Sequence, residues 1–354
     1  MNEKAGEQVG INEIIDTYLT PYVKRIDREA LYPKHYIQML GKEGYFLSTD
    51  KTEVEVILQR VAVIEKTAKV CMTTAFCLWC HFAAIVYITN TKNHQLRKKI
   101  LPKLESGELL AGTGLSNPLK TFSSIEKIHL TARKIENGYI INGSLPAISN
   151  IGKGHAFAFI ARSETSYIMG FISCDDEGLS LNERTNYLGM NGSATYSCTF
   201  TNVFISESDI ISHEAIEFVQ SVRSLFVSYQ IPLGLGVTAS SIALIEKMYE
   251  KNASVNKYLQ KESEDIKARY VILRKCLRKQ IRAKCYHWKD MVNLRLDTAY
   301  LTLDAVQAAM IHSGGAGYLK ESSASRKLRE AYFLVNLTPT VKHLEKIKQE
   351  NAYV

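Results

Sequence analysis

The hydrophobic positions of this chain change their spacing twice along its length. Up to about residue 105 they recur at intervals of three and four, as in residues 11–19, and this spacing predicts amphipathic helices. Between residues 109 and 212, short alternating runs such as 156–160 are separated by Asn-Gly and Asp-Asp-Glu-Gly turns, a pattern typical of strands and hairpins. Beyond residue 214 long helical patterns return.

This order predicts a mostly helical α+β protein. We expect an N-terminal helical domain (residues 1–108), a middle β-barrel-like domain (109–212) and a C-terminal four-helix bundle (213–354). Strands confined to the middle third argue against a doubly wound sheet, in which strands and helices alternate. A length of 354 residues leaves room for two or three folding units, each with its own core.

The longest apolar run, Thr73 to Ile88, is interpreted as a buried helix. It is shorter than the roughly 20 residues that cross a bilayer, and His81 lies in its middle. The first residues contain charges and no apolar core of a secretory signal. The seven cysteines are an odd number and are scattered, which is typical of free thiols in a reducing compartment. The sequence therefore predicts a cytoplasmic protein without a membrane span.

The net charge of +8, from 44 Lys and Arg against 36 Asp and Glu, favours an anionic partner. Eight of these cations fall within residues 267–284, which contain no acid and are called the basic stripe below. Because like charges on one helical face repel one another, we expect an anion beside them. A phosphorylated cofactor, an acidic carrier protein and nucleic acid all qualify, and a solvated face remains an equal alternative. Nucleic acid is the weakest candidate, since only two tyrosines nearby supply stacking groups.

Cys77-Leu-Trp-Cys80-His81 has the spacing that attaches c-type haem. The flanking residues are apolar, no export context accompanies the motif, and a zinc site would need a second pair of ligands. We therefore expect two buried thiols and a hydrogen-bonded histidine, and we predict no metal site in the chain. The sequence also lacks GxSxG and HExxH motifs.

Two glycine clusters, Gly112-Thr-Gly114 and Gly314-Gly315-Ala-Gly317, resemble fragments of phosphate-binding loops. Neither completes a dinucleotide fingerprint, because the first lacks its third glycine and the second follows a helix. The second cluster precedes a new helix, where phosphate could approach bare backbone. A phosphate contact and a plain turn both remain open at this point.

Several segments, in a fixed order over about residues 11–345, resemble the acyl-CoA dehydrogenase superfamily. The segments that carry the resemblance are GLSNP (114–118), YIINGSLPAISN (139–150), LGMNGS (188–193), and GGAGY (314–318) followed by Arg329-Glu-Ala. Their order and spacing are more specific than any one of them.

The resemblance implies a FAD protein whose isoalloxazine ring lies between the β-domain and the C-terminal helices. Short polar residues in turns can reach the nitrogen and carbonyl rim of a flavin, and Ser149 would lie near its N5 edge. Gly314 and Gly315 would meet the adenine dinucleotide half, commonly that of a neighbouring subunit, so a homodimer or homotetramer is implied. By position, the implied cofactor-binding residues are Thr113, Leu115, Ser116, Ser149, Gly314, Gly315 and Thr340.

The sequence departs from the family pattern where the catalytic base is usual. Removing the acidic α-proton of a thioester requires a carboxylate, and Thr338 occupies the usual glutamate position. The alternative position falls near Phe226 or Val227, and residues 221–235 contain no acid. Ala147 and Ile311 also replace a tryptophan and a glutamine that are usual near the cofactor. The catalytic residue therefore stays unassigned.

These features lead to three hypotheses about function. The first is a FAD-dependent oxidoreductase that oxidises an acyl thioester, bound to CoA or to an acyl carrier protein, at Cα–Cβ. The second is a flavin-dependent monooxygenase of the same fold, which does not need the glutamate. The third is a non-catalytic subunit that pairs with an active paralogue. None of them calls for nucleic acid or a membrane as partner.

Overall fold

The computed structural model describes residues 8–164, 166–259 and 262–350. Its helices are α1 (Ile11–Tyr18), α2 (Val23–Arg28), α3 (Lys34–Lys42), α4 (Glu53–Val70), α5 (Met72–Asn90), α6 (His94–Glu105), α7 (Ser116–Phe122), α8 (Ala215–Ser228), α9 (Ile231–Lys251), α10 (Ala253–Asn256), α11 (Glu262–Arg282), α12 (Trp288–Tyr318), α13 (Ser323–Asn336) and α14 (Val341–Gln349). Its strands are β1 (Ala111–Thr113), β2 (Leu130–Ile135), β3 (Gly138–Ile148), β4 (Ala156–Arg162), β5 (Tyr167–Ser173), β6 (Leu179–Glu183), β7 (Tyr196–Ser206) and β8 (Ile210–Ser212).

Helix α5 lies at the centre of the N-terminal helices, as its apolar sequence predicts. By length and composition, α5 and the stretch Ala215–Lys251 could cross a membrane, but 94% and 83% of those windows are buried inside the protein. Both are therefore core helices of this fold. Helix α4 packs beside α5 and begins at a capping box, in which the Thr52 hydroxyl accepts the Glu55 amide and the Glu55 carboxylate accepts the Thr52 amide.

The middle strands form one sheet in the order β6-β7-β3-β2-β4-β5-β8, with β1 added parallel to β4. Strands β6 and β8 end this order without pairing to each other, so the expected barrel-like closure is too strong a description. Helix α7 also interrupts the block that was predicted to be entirely β. Pro118 does not prevent this helix, because it lies in the first turn, where the amide it lacks would have no intrahelical partner.

The C-terminal helices pack on one another and on α4. Helix α12 is kinked at Gly314, whose φ of 57° and ψ of −148° lie outside the helical region. This backbone suits glycine, since a Cβ is disfavoured at positive φ. The predicted fold class is confirmed: the protein is mostly helical, with a central sheet between N-terminal and C-terminal helices.

Candidate active site

A cavity of about 180 Å³ lies where the central sheet meets helices that precede it and helices that follow it in the sequence. Helices α5, α8 and α13 supply its apolar walls, and the ends of β1 and β3 supply hydroxyl groups. Its lining residues are Phe76, Trp79, Cys80, Thr113, Ser116, Ala147, Ser149, Phe226, Phe333, Asn336, Leu337 and Thr338. We call it the central cavity.

Three of the implied cofactor-binding residues come together in the central cavity. Thr113 ends β1, Ser116 begins α7 and Ser149 follows β3, and all three line the cavity. Thr338, at the position where the family has its glutamate, lines it as well. The sheet accounts for part of this proximity. Strand β1 pairs with β4, and Ser149 lies in the connection that leads from β3 to β4.

The other four implied residues do not line this cavity. Leu115 is buried beside Ser116, and Thr340 caps α14 by accepting the amide of His343 at 3.2 Å. Gly314 and Gly315 lie at the kink of α12, where an added Cβ would meet nothing within 4 Å. Their backbone is therefore open on one side, but it lies outside the central cavity of this protomer.

Each cavity hydroxyl is fixed by a neighbour. The Thr113 hydroxyl bonds to Tyr87 Oη at 3.0 Å, that of Ser149 to Thr195 Oγ1 at 2.7 Å, and that of Ser116 to Thr338 Oγ1 at 2.9 Å. A hydroxyl can donate once and accept twice, so each retains capacity for a ligand. The cavity thus presents preoriented hydroxyl groups on its polar side.

The residues fit a flavin ring in their chemistry. Trp79 stacks on Phe76 with ring centroids 5.5 Å apart and meets Phe226 edge-on at 4.8 Å, so the hydroxyls face an aromatic wall. A flat ring with a polar rim matches apolar walls that carry a few polar groups. The 180 Å³ is smaller than the roughly 300–1,000 Å³ of most ligand sites. A whole dinucleotide would therefore extend beyond the cavity.

Thr338 is held in place by two buried polar residues that the sequence analysis missed. Gln230 Nε2 donates to the Thr338 carbonyl at 2.9 Å, and Arg295 Nε donates to Gln230 Oε1 at 3.0 Å. Arg295 also donates to the Leu334 carbonyl at 2.6 Å. It is fully buried, and burial lowers its pKa to about 9. The available signal was an arginine in the buried register of α12, four residues after Met291 and four before Ala299.

The central cavity offers no carboxylate or imidazole from the described residues that line it. Phe226, at the alternative position of the family base, is an apolar wall. Burial raises the pKa of the Cys80 thiol well above its usual range, so this thiol stays protonated at neutral pH. The Thr338 hydroxyl bonds to Ser116 and is not a base at neutral pH. The geometry thus agrees with the sequence in leaving the base unassigned.

A second cavity of about 240 Å³ shares Phe226 with the first. It lies among α7, α8, α14 and the start of α12, and we call it the side cavity. The Arg223 guanidinium lies over the Trp288 ring at 4.8 Å, and Lys346 adds a second cation to the wall. His343 also lines it, with Nε2 at 2.6 Å from Ser123 Oγ. Lys346 Nζ lies 2.9 Å from a carboxylate oxygen of Glu350, which also lines the cavity. The positive charge that suits an anion with an apolar part therefore comes chiefly from Arg223.

We expect acidification to destabilise the protein through His343. Burial, followed by the positive charges of Lys346 and Lys120, lowers the pKa of His343 to about 4, whereas a histidine in the unfolded chain titrates near 6.5. Between these values the unfolded chain binds a proton that the folded protein does not bind. The free energy of unfolding should therefore fall as the pH falls from about 6.5 to 4, by on the order of 2 kcal/mol from this residue.

Urea unfolding at several pH values between 7 and 4.5 measures this dependence. The variant His343→Gln should flatten the slope relative to that of the parent protein. Some slope will remain, because burial also lowers the pKa of His81, to about 3. An unaltered slope in His343→Gln would contradict the assignment.

The Cys77–His81 motif is structural. Both thiols are buried in α5, and His81 Nδ1 accepts the Ala111 amide at 3.3 Å. Its Nε2 lies 3.0 Å from the Leu104 carbonyl and must therefore carry the proton. Within the described ranges no group of three metal-binding side chains occurs. The histidine joins α5 to the end of α6 and to the first residue of β1.

Comparison with known sequences finds similarity to acyl-CoA dehydrogenases. Residues 8–108 match the family described as acyl-CoA dehydrogenase, N-terminal domain. A mitochondrial isovaleryl-CoA dehydrogenase of Arabidopsis thaliana is 24% identical over 216 residues, 58% of this chain and 53% of that protein. The same-named protein of Solanum tuberosum is 22% identical over 351 residues, 88% of this chain and 81% of that one. The match thus spans about half the length of the first relative and most of the second.

Solved structures show the same fold over nearly the whole chain. A glutaryl-coenzyme A dehydrogenase in complex with glutaryl-CoA has a TM-score of 0.88 at 17% identity, covering 98% of this chain and 95% of that one. A prolyl acyl carrier protein oxidase has a TM-score of 0.84 at 16% identity, covering 97% and 98%. A Mycobacterium smegmatis glutaryl-CoA dehydrogenase in complex with FADH2 has a TM-score of 0.79 at 16% identity, covering 96% and 92%.

Proposed function

Because the chain has the acyl-CoA dehydrogenase fold and carries that family's N-terminal domain at residues 8–108, we propose that it is a FAD-dependent oxidoreductase acting on an acyl thioester. The observation that carries the proposal is the central cavity. It brings Thr113, Ser116 and Ser149 from three separate elements to one place, opposite aromatic walls. One of the solved structures with this fold holds FADH2.

In this proposal the cavity hydroxyls hold the flavin, and bound FAD supplies a two-electron acceptor for a hydride. Thr113, Ser116 and Ser149 would bind its polar rim, and the Phe76–Trp79 pair would exclude water from its surroundings. Bonds from Tyr87, Thr338 and Thr195 fix these hydroxyls before any ligand arrives. Such preorganisation lowers the cost of ordering on binding.

The substrate class is supported by charge and by the relatives. The side cavity places the Arg223 guanidinium beside apolar walls, which suits a phosphate-bearing arm joined to an acyl group. Two proteins of this fold are a dehydrogenase in complex with glutaryl-CoA and a prolyl acyl carrier protein oxidase. We therefore propose a thioester carried by CoA or by an acyl carrier protein.

We also propose that the active form is a homodimer or homotetramer. Beside the kink of α12, Ile311, Tyr318 and Leu319 expose 57%, 85% and 64% of their surface. Large apolar side chains exposed together are typical of a protein interface. A second copy would cover them and could reach the open backbone of Gly314 and Gly315.

Oxidation at Cα–Cβ requires a base that takes the α-proton while the β-hydride leaves. Because the described cavity residues include no carboxylate or imidazole, a flavin-dependent monooxygenase is the second candidate. That reaction starts from reduced flavin and oxygen and does not require this base, but it needs an external reductant. The Thr338 hydroxyl would then be a wall of the cavity without a role in proton transfer.

The visible absorption spectrum of the purified protein tests both enzyme proposals. Bound flavin supports them. If no flavin is present, and added FAD changes neither the spectrum nor the melting temperature, both are wrong and the non-catalytic subunit is favoured. With flavin bound, anaerobic bleaching by acyl-CoA or acyl carrier protein indicates dehydrogenation. Reduction only by an external reductase, followed by oxygen uptake, indicates a monooxygenase.

Ser149→Val should weaken FAD binding about three- to tenfold, because one hydrogen bond of roughly 0.5–1.5 kcal/mol is removed from the polar side of the cavity. Titration of the apoprotein with FAD, followed by flavin fluorescence, measures this change. Ser144→Val is the matched control, since Ser144 is exposed on β3, the strand that Ser149 follows. Equal FAD affinity in the two variants would argue against Ser149 as a cofactor contact.

A further inference from the structure

The basic stripe is only partly neutralised within the chain. Glu65, a buried residue of α4, lies 2.7 Å from Arg274 Nε and 3.7 Å from an Arg278 guanidinium nitrogen. For Arg274 and Arg278, the expected anion is therefore the carboxylate of Glu65, within the chain itself. Within the part of the chain that the structure describes, the exposed residues Lys275, Lys279 and Arg282 have no carboxylate within ion-pair distance. We call them the three free cations.

Apolar side chains share this exposed face of α11. Val271 and Ile272 expose 38% and 58% of their surface, and Cys276 is exposed between the cations. Positions 272, 275, 279 and 282 lie three or four residues apart, so they form one continuous strip along the helix. Removing a lysine from water costs free energy, and a lysine without apolar neighbours offers a partner no buried apolar area to offset that cost. Apolar and basic groups together suit a partner that is acidic and partly apolar.

The end of the strip lies close along the chain to a wall of the side cavity. Arg282 ends α11, and Trp288, a wall of the side cavity, begins α12 six residues later. Six residues span at most about 22 Å. Arg223 lies over Trp288 at 4.8 Å, so the cavity wall at that point also carries a cation. A partner docked on α11 would thus be within reach of the side cavity for a long, thin prosthetic arm.

We propose that this strip, made of the three free cations with Val271 and Ile272, is the docking surface for an acidic acyl carrier protein. The inference rests on the proposed function and names the carrier of its thioester. The strip would pair with an acidic helix face of the carrier, and the arm would enter by way of Trp288. Charge complementarity accelerates such encounters and makes them sensitive to salt.

A second copy of this chain is a poorer occupant. Closed dimers commonly use isologous interfaces, in which the same patch meets itself. The three free cations would then face three others with no acid between residues 267 and 284 to separate them. The surface therefore favours a partner of opposite charge.

The test measures binding of a purified, phosphopantetheinylated acyl carrier protein to the full chain at low and physiological salt. The triple variant Lys275→Glu/Lys279→Glu/Arg282→Glu should bind at least about tenfold more weakly, a loss of roughly 1.4 kcal/mol. The control Lys98→Glu/Lys247→Glu/Lys251→Glu changes net charge equally at exposed positions of α6 and α9. It should bind like the parent.

Equal weakening in both variants would show a general charge effect and overturn the surface. The proposal would also be wrong if the first variant bound the carrier as tightly as the parent. It would be wrong as well if sedimentation showed that the strip instead binds single-stranded oligonucleotide, anionic vesicles or a second copy of the chain. Flavin content and bleaching by free acyl-CoA report the proposed function separately. If they fail while carrier binding follows the strip, the docking surface stands without that function.

Discussion

Gly236→Ala is expected to lower the free energy of unfolding by about 3 kcal/mol, at the upper end of what overpacking a core costs. Gly236 lies where α9 crosses α4. A Cβ there would lie 2.5 Å from the Glu65 carbonyl oxygen and 2.7 Å from the Lys69 amide nitrogen. Both are backbone atoms of a helix and cannot rotate away, so the two helices must separate.

The separation would also disturb the surface of α11, because Glu65 holds Arg274 and Arg278. Urea unfolding followed by circular dichroism measures the loss. Gly315→Ala is the matched control, since its Cβ would meet nothing within 4 Å and no positive φ opposes it. Within a helix, replacing glycine by alanine should stabilise the protein slightly, by about 0.5–1 kcal/mol. Similar unfolding curves for the two variants would rule out a close crossing at Gly236.

The fold could be predicted because each part has its own periodicity. Hydrophobic residues recur at helical spacing in residues 11–19 and form a strand-like run in residues 156–160. Helix α5 is too apolar to lie on a surface. Closure of the sheet could not be predicted, because it depends on which strands lie at the edges. Pairings such as the parallel contact between β2 and β4 join residues far apart in sequence. Helix α7 was missed because it is only seven residues long and lies inside a block whose pattern was interpreted as β.

The site was predictable only in part, for a similar reason. The positions of Thr113, Ser116 and Ser149 follow from motif order, and each lies at the end of an element whose pattern is readable. Arg295 and Gln230 lie 65 residues apart, and Gln230 and Thr338 lie 108 apart. No local pattern links such residues. Likewise, Glu65 neutralises arginines more than 200 residues away, which no reading of the stripe alone could show.

Gln230→Leu should destabilise the protein by about 4 kcal/mol and reduce its flavin content. The change leaves the Arg295 Nε–H and the Thr338 carbonyl without their partner, and both groups are buried. An unsatisfied buried group costs roughly 1–3 kcal/mol, and more when it is charged. Since Thr338 also fixes the Ser116 hydroxyl, the polar side of the central cavity should loosen. Urea unfolding and FAD titration measure the two effects.

Gln95→Leu on the exposed face of α6 is the control for the loss of a glutamine and should change stability by less than about 0.5 kcal/mol. The double variant Gln230→Leu/Arg295→Met separates the cost of leaving the Arg295 cation without its partner from the cost of leaving buried carbonyls without theirs. Removing the cation also removes its desolvation, so the double variant should recover roughly half of the loss. Additive destabilisation would instead mean that Arg295 stabilises the protein independently of Gln230. In that case Gln230 would not be the link between the buried cation and Thr338.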